Sequence, residues 1–173
     1  MEPLFKQWGD KSQITEGILE AAAGNDWSGK RVLELLFEHR RGEMEITEGV
    51  IRAAAGNRKE VLELLVDQLG DNIQITEGIL EAAARGLRGR EVLNLLFEQW
   101  NDRILITEAV LKAAAGNDWS GKGVLELLFE HRRGEIEITE GVIRAAAGNQ
   151  RSGKEVLRLL VEQGGMICRR QIG

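Results

Sequence analysis

Three segments of the chain carry the residue types and spacing of a phosphate-binding loop. Gly24-Asn25-Asp26-Trp27-Ser28-Gly29-Lys30 reads G-x-x-x-x-G-K, and the letters return at Gly116 to Lys122 and Gly148 to Lys154. In a nucleotide site such a loop follows a strand, its backbone N–H groups cradle phosphates, and a Ser or Thr after the lysine holds magnesium. Here Arg31, Gly123 and Glu155 follow the lysines, and the pattern in front is helical. A nucleotide-binding enzyme is therefore the weakest of three function classes. The letters read instead as the end of one helix and the cap of the next, with Ser28, Ser120 and Ser152 as capping residues.

Other reactive groups are sparse. His39 and His131 sit in two copies of "EHRRGE", near helix C-termini where histidine meets the dipole or water. Cys168 is the single cysteine, so no internal disulfide forms. Its neighbours Arg169 and Arg170 favour a thiolate, but neither histidine is near it in sequence. No His/Cys cluster has metal-ligand spacing. The expectation is a non-enzyme with no catalytic residue, no cofactor and no metal.

Binding chemistry is better represented. Trp27 and Trp119 each stand in a loop reading "NDWSG". Their rings either lie over the alanine face of the next unit or project as a row of aromatic anchors, the residue type that interfaces favour. Trp100 and Trp8 close a helix whose equivalent positions hold Arg40, Leu69, Arg132 and Gly164, a mixture that suggests partial exposure. Asp26, Trp27, Asp118, Trp119 and Trp100 are the candidate partner-binding residues.

The elements that position them form a repeat. "ITE" opens at Ile14, Ile46, Ile75, Ile106 and Ile138, and "LL" begins at Leu35, Leu64, Leu95, Leu127 and Leu159. From the second leucine to the next "ITE" the count is always 10, so all length variation lies between "AAA" and "VL". Residues 14–57 and 106–149 differ at only five positions, which indicates duplication of a three-unit block. A period near 30 residues with one elastic loop is the mark of a solenoid.

Within the second unit, Thr47 caps a helix and Glu48 meets its positive end. Val50, Ile51, Ala54 and Ala55 form one apolar stripe. Gly56-Asn57 stops that helix by tolerating a left-handed conformation. Asn57 and Glu60 read as a capping box for a second helix. That helix buries Val61, Leu62, Leu64 and Leu65 and keeps Glu60, Glu63 and Asp67 wet. "MEI" and "IQI" predict short extended connectors. The alanine triplets let neighbouring helices approach closely, and a helix pair cannot bury both faces alone. Five residues after each threonine, Glu20, Arg52, Glu81, Lys112 and Arg144 suggest an inter-repeat charge ladder.

The unit resembles the ankyrin repeat. Thr47, Gly56, Leu64 and Leu65 keep that family's spacing, while Glu48, Val50 and Asn57 replace its proline and two histidines. The connector is about four residues shorter than the ankyrin hairpin finger. "ITE…AAAGN…LELL", near-identical between copies, is also similar to the C-terminal repeat arrays of fungal NACHT-type, NOD-like receptors. That resemblance implies ligand sensing, with an ATP-driven oligomerisation domain elsewhere in the protein.

The resulting expectation is an all-α, right-handed solenoid of about five ankyrin-like helix-loop-helix repeats of 29–32 residues with hairpin-less connectors. It forms a single repeat domain over 1–173. A partial unit spans 1–13, repeats span 14–45, 46–74, 75–105, 106–137 and 138–164, and 165–173 is a cap or tail. The function expected is recognition of a protein or other macromolecule by a receptor-like protein. The alternative is a structural spacer or self-assembly module. The formal charge of −5 weighs against nucleic acid, and no apolar run is long enough for a bilayer. Nor does the N-terminus have a signal-peptide layout, so a cytoplasmic location is expected. Leu4, Phe5 and Trp8 give the N-terminal end an uncapped apolar face, predicting homo-oligomerisation there.

Overall fold

The computed structural model describes residues 14–40, 44–56, 59–132 and 134–170. Among these, every regular element is helical and no strand occurs. Ten α-helices alternate as five pairs. The first helix of each pair is α1 (Glu16–Ala23), α3 (Glu48–Ala55), α5 (Glu77–Arg85), α7 (Glu108–Ala115) or α9 (Glu140–Gly148). The second is α2 (Gly29–Arg40), α4 (Lys59–Leu69), α6 (Gly89–Trp100), α8 (Gly121–Arg132) or α10 (Gly153–Arg170). Single 3-10 turns, Gly70–Asn72 and Asn101–Arg103, close α4 and α6. The helix α10 runs past the expected unit end at Gly164 as far as Arg170.

Each first helix packs on its own second helix and on the first helix of the adjacent unit, and each second helix packs on the next second helix. The result is two layers of helices stacked unit upon unit. The loops joining first to second helix lie along one edge. The connectors between units lie along the other. The connectors are extended, as their alternation predicts: Ile73 (φ −72°, ψ 123°) and Ile104 (φ −88°, ψ 119°) are buried, and Gln74 and Leu105 are exposed.

The neighbour supplies the burial. Ile79, central in the stack, is 0% exposed, whereas Ile18, at the same position of the first described unit, is 45% exposed. Val32 and Leu35 are likewise exposed where their equivalents Val92 and Leu95 are buried. The core itself is continuous, with Leu33, Leu62, Leu93 and Leu125 fully buried behind the alanine triplets.

A polar seam runs beside it. The Oγ1 of Thr47 donates to Glu16 Oε1 at 2.5 Å, Thr76 to Glu48 at 2.7 Å, Thr107 to Glu77 at 2.5 Å and Thr139 to Glu108 at 2.8 Å. The first-turn glutamate therefore serves its own helix dipole and the cap residue of the next unit together. Thr76, Thr107 and Thr139 also accept from the N–H of Ile79, Val110 and Val142 at 3.4 Å. Thr15 and Thr47 have the extended cap backbone without that side-chain bond.

The glycines serve close approach rather than left-handed turns. Gly24, Gly56 and Gly116 end their helices with φ of −81°, −71° and −83°, so the expected left-handed cap is absent. Among the described residues only Gly70 has positive φ. The opening glycines of the second helices press on the first: a Cβ at Gly121 would stand 2.5 Å from the Ala114 carbonyl oxygen, and one at Gly153 would stand 2.7 Å from that of Ala146. Gly121→Ala is therefore expected to destabilise by about 1–3 kcal/mol through overpacking. Gly17, with nothing within 4 Å of its would-be Cβ, should give about 0.5–1 kcal/mol of added stability as Gly17→Ala. Denaturant unfolding of the two variants measures both.

Candidate functional site

The loop edge is built around asparagine. Asn117 is buried. Its Nδ2 donates to the carbonyls of Ala84 (2.8 Å) and Gly86 (2.9 Å) in the preceding unit and to Ser120 Oγ (2.9 Å). Its Oδ1 accepts from the N–H groups of Trp119 (2.9 Å) and Ser120 (3.0 Å). Asn149 repeats the arrangement one unit on, donating to Ala115 O (3.1 Å) and Asn117 O (2.9 Å) and accepting from Arg151 and Ser152. In the first unit Asn25 is exposed and makes only the local half, accepting from Trp27 and Ser28.

This changes the meaning of the G-x-x-x-x-G-K letters. The loop N–H groups that would face a phosphate are taken by the asparagine oxygen, and the second glycine lies against a helix. The asparagine oxygen holds the loop turn ahead of the helix, and Ser120 makes no bond of the capping kind expected of it. Ser120 Oγ instead donates back to Gly86 O at 3.0 Å. The capping asparagine expected at position 57 lies outside the described residues.

With its backbone locked inward, the loop turns its tip outward. Counted back from the valine of each second helix, the same position holds Trp27, Gly56, Leu87, Trp119 and Arg151. Trp27 is 92% exposed, Leu87 62% and Trp119 65%. No ring is buried on an alanine face. Trp119 stacks under the Arg151 guanidinium, 3.7 Å from ring centroid to Cζ. Beside it lies a shallow depression of about 440 Å³ lined by Arg85, Lys112, Gly116, Asp118, Trp119 and Ala145.

The remaining expected residues fall differently. Trp100 is buried at 5% exposure, and its Nε1 has no hydrogen-bond partner. It belongs to the core because a mid-stack helix end is covered by the next unit, so the partial exposure expected for it is wrong. Asp118 is half-buried and accepts from Gln150 N–H at 2.8 Å, a structural tie between loops. Asp26 is exposed. Among the described residues no ion pair within 4.0 Å joins Glu20, Arg52, Glu81, Lys112 and Arg144 to one another. Instead Glu81 pairs with Arg85 (2.8 Å) and Arg144 with Glu140 (2.6 Å) inside their own helices. The one-turn spacing within a helix offers these side chains a nearer partner than the next unit does.

His131 stacks on Phe97 of the preceding unit (4.2 Å between centroids, 3° between planes). Arg132 Nη1 donates to Asn101 Oδ1 at 3.1 Å, and its Nη2 donates to Asn101 O. These residues clasp the connector edge. The Cys168 backbone lies in α10. Leu4, Phe5 and Trp8, on which end-to-end association was expected, lie outside the described residues. No group of three or more His, Cys, Asp and Glu among the described residues could hold a metal, and no described helix is long and apolar enough to cross a membrane.

Sequence reasoning missed the asparagine locks, the threonine–glutamate seam and Leu87. The signal was present in each case, since Gly-Asn recurs at 24, 56, 116 and 148, Thr-Glu opens every unit, and Leu87 shares the register of Trp27.

Five stacked helix pairs with nearest-neighbour packing define an all-helical tandem-repeat protein. The chain belongs to the family described as "Domain of unknown function (DUF7104)", whose model matches residues 4–32, 35–61, 64–92, 95–124 and 127–156. The last four matches each begin at the leucine pair of a second helix and run through connector, first helix and loop. No curated protein and no solved structure matches the chain.

Asn117→Ala takes this partner from the Ala84 carbonyl and from the N–H groups of Trp119 and Ser120, while Gly86 O keeps the Ser120 hydroxyl, and should cost about 2–4 kcal/mol. The same change at exposed Asn25, which loses only local turn bonds, should cost about 0.5–1 kcal/mol. Thermal unfolding of both variants compares them.

Proposed function

We propose that the chain is a non-catalytic recognition module that binds a protein or other macromolecular partner through its loop edge. The observation that carries this reading is the row of exposed apolar tips, Trp27, Leu87 and Trp119, at one register. A tryptophan can bury on the order of 150–250 Å², worth several kcal/mol at about 25 cal/mol/Å². Trp119 stands on the asparagine-locked loop, Leu87 follows Gly86, whose carbonyl the next unit holds, and the N–H of Trp27 is held by Asn25, so the three tips are preorganised anchors. A spacer module has no use for them.

In this reading the stack has the right-handed, ankyrin-like geometry suggested by its Thr, Gly and Leu-Leu spacing. It is the sensor region of a larger, cytoplasmic receptor-like protein, as its resemblance to fungal NACHT-type arrays implies.

Trp27→Ala and Trp119→Ala test the proposal. Each should weaken capture of the partner about tenfold or more while moving stability by under about 1 kcal/mol, since neither ring is in the core. Unchanged capture by the double variant would contradict it.

A further inference from the structure

The segments between the alanine triplet and the Val-Leu pair of each unit carry charge of the opposite sign to the rest of the sequence. Residues 24–31, 56–60, 85–91, 116–123 and 148–155 hold ten Lys or Arg against five Asp or Glu, in a chain with 23 against 28. These segments thus sum to +5 in a chain of −5, and the remaining residues to −10. One cation recurs at a fixed place. Two residues before the valine of each second helix stand Lys30, Lys59, Arg90, Lys122 and Lys154.

Helix physics does not ask for a cation there. The position is in the first turn, where the dipole is positive and favours carboxylates. The available partners are four residues further on: Lys30–Glu34 at 3.9 Å, Lys59–Glu63 at 3.1 Å and Lys122–Glu126 at 3.6 Å. That is the weaker order of charges for an intrahelical pair. Arg90 also reaches Glu126, at 3.8 Å. Such exposed pairs are worth about 0–1 kcal/mol each, so an incoming carboxylate can replace them.

We infer that the partner of this edge is an extended, acidic peptide segment with apolar residues about every third position. The inference rests on the loop edge being the recognition surface and names its ligand chemistry. The cation stands three residues after the tip in the chain, Lys30 after Trp27, Arg90 after Leu87 and Lys122 after Trp119, and Arg85 and Lys112 line the depression next to Trp119. Stacked helices lie about 8–10 Å apart, and an extended chain rises about 3.3 Å per residue, so about three residues cross one unit. Its carboxylates would then meet the cation of each unit, and its apolar residues the tips of the units that carry one, Trp27, Leu87 and Trp119. A nucleic acid fits less well. The first-turn glutamates Glu16, Glu48, Glu77, Glu108 and Glu140 and the net −10 outside the strip repel a long polyanion, and Asp118 sits in the depression itself.

The test measures fluorescence anisotropy with four probes: roughly fifteen-residue peptides repeating Glu-Glu-Phe, Ser-Ser-Phe or Lys-Lys-Phe, and a single-stranded oligothymidine of matching length. The full chain should bind the Glu-Glu-Phe peptide at least tenfold more tightly than any other probe. The triple variant Arg90→Gln, Lys122→Gln, Lys154→Gln, checked for retained helicity, should lose about tenfold for that peptide alone. Equal affinities for the three peptides, no binding of any probe, or tighter binding of the oligonucleotide overturns the inference. Preference for Ser-Ser-Phe that is lost in Trp119→Ala removes the acidic partner and leaves the loop edge as the recognition surface. Failure of Trp27→Ala and Trp119→Ala to weaken any bound peptide removes the loop-edge reading as well.

Discussion

The apolar surface of each helix pair is closed by the next pair, and every other feature of the protein is arranged around that dependence. A helix of eight residues such as α1, α3 or α7 is too short to persist in water by itself. Its alanines offer little area, and the leucine helix behind covers only one side. The contrast between Ile18 and Ile79 gives the rule directly: the same position is open in the first described unit and fully closed in mid-stack. Burial is therefore a property of the interface between units, and stability accumulates along the stack.

Hydrophobic closure is non-directional, so it does not set register. The hydrogen bonds do. On the connector side of α3, α5, α7 and α9, a threonine reaches back to the preceding unit's glutamate. On the loop side, Asn117 and Asn149 reach back to carbonyls at the end of the preceding first helix. A unit slipped along its neighbour would strand a buried amide, at a cost of about 1–3 kcal/mol per unmet group. Together the two seams pin both ends of α7 and α9. Between them the glycines let the second helix lie almost against the first. The locks use up the inward polar groups of the loops, which leaves the tips to vary in length and residue without disturbing the stack. That division of labour connects the fold to the proposed function.

Much of this was legible in the chain. The two helices per unit, their apolar faces and the extended connectors follow from period and spacing, because each unit repeats one pattern and amphipathic periodicity is the strongest local signal. The readings that failed depend on facts a single unit does not contain. Trp100 looked half-exposed because its equivalents are Arg40, Leu69, Arg132 and Gly164, but its environment is set by the unit stacked upon it. The charge ladder of Glu20, Arg52, Glu81, Lys112 and Arg144 had the right register and lost to closer partners within the helices. Gly-Asn read as a turn signal by propensity, yet those glycines are right-handed and Asn117 and Asn149 are buried. Of the candidate site, Trp27 and Trp119 were visible as loop residues of unusual type. Leu87 was not, since leucine is ordinary in every other setting.

Circular dichroism of the isolated fourth unit, residues 106–137, beside the whole chain tests the central dependence most directly. The account predicts a unit that is largely unfolded alone and a full array that is helical and melts cooperatively. A lone unit with the helix content and cooperative melting of the array would contradict it.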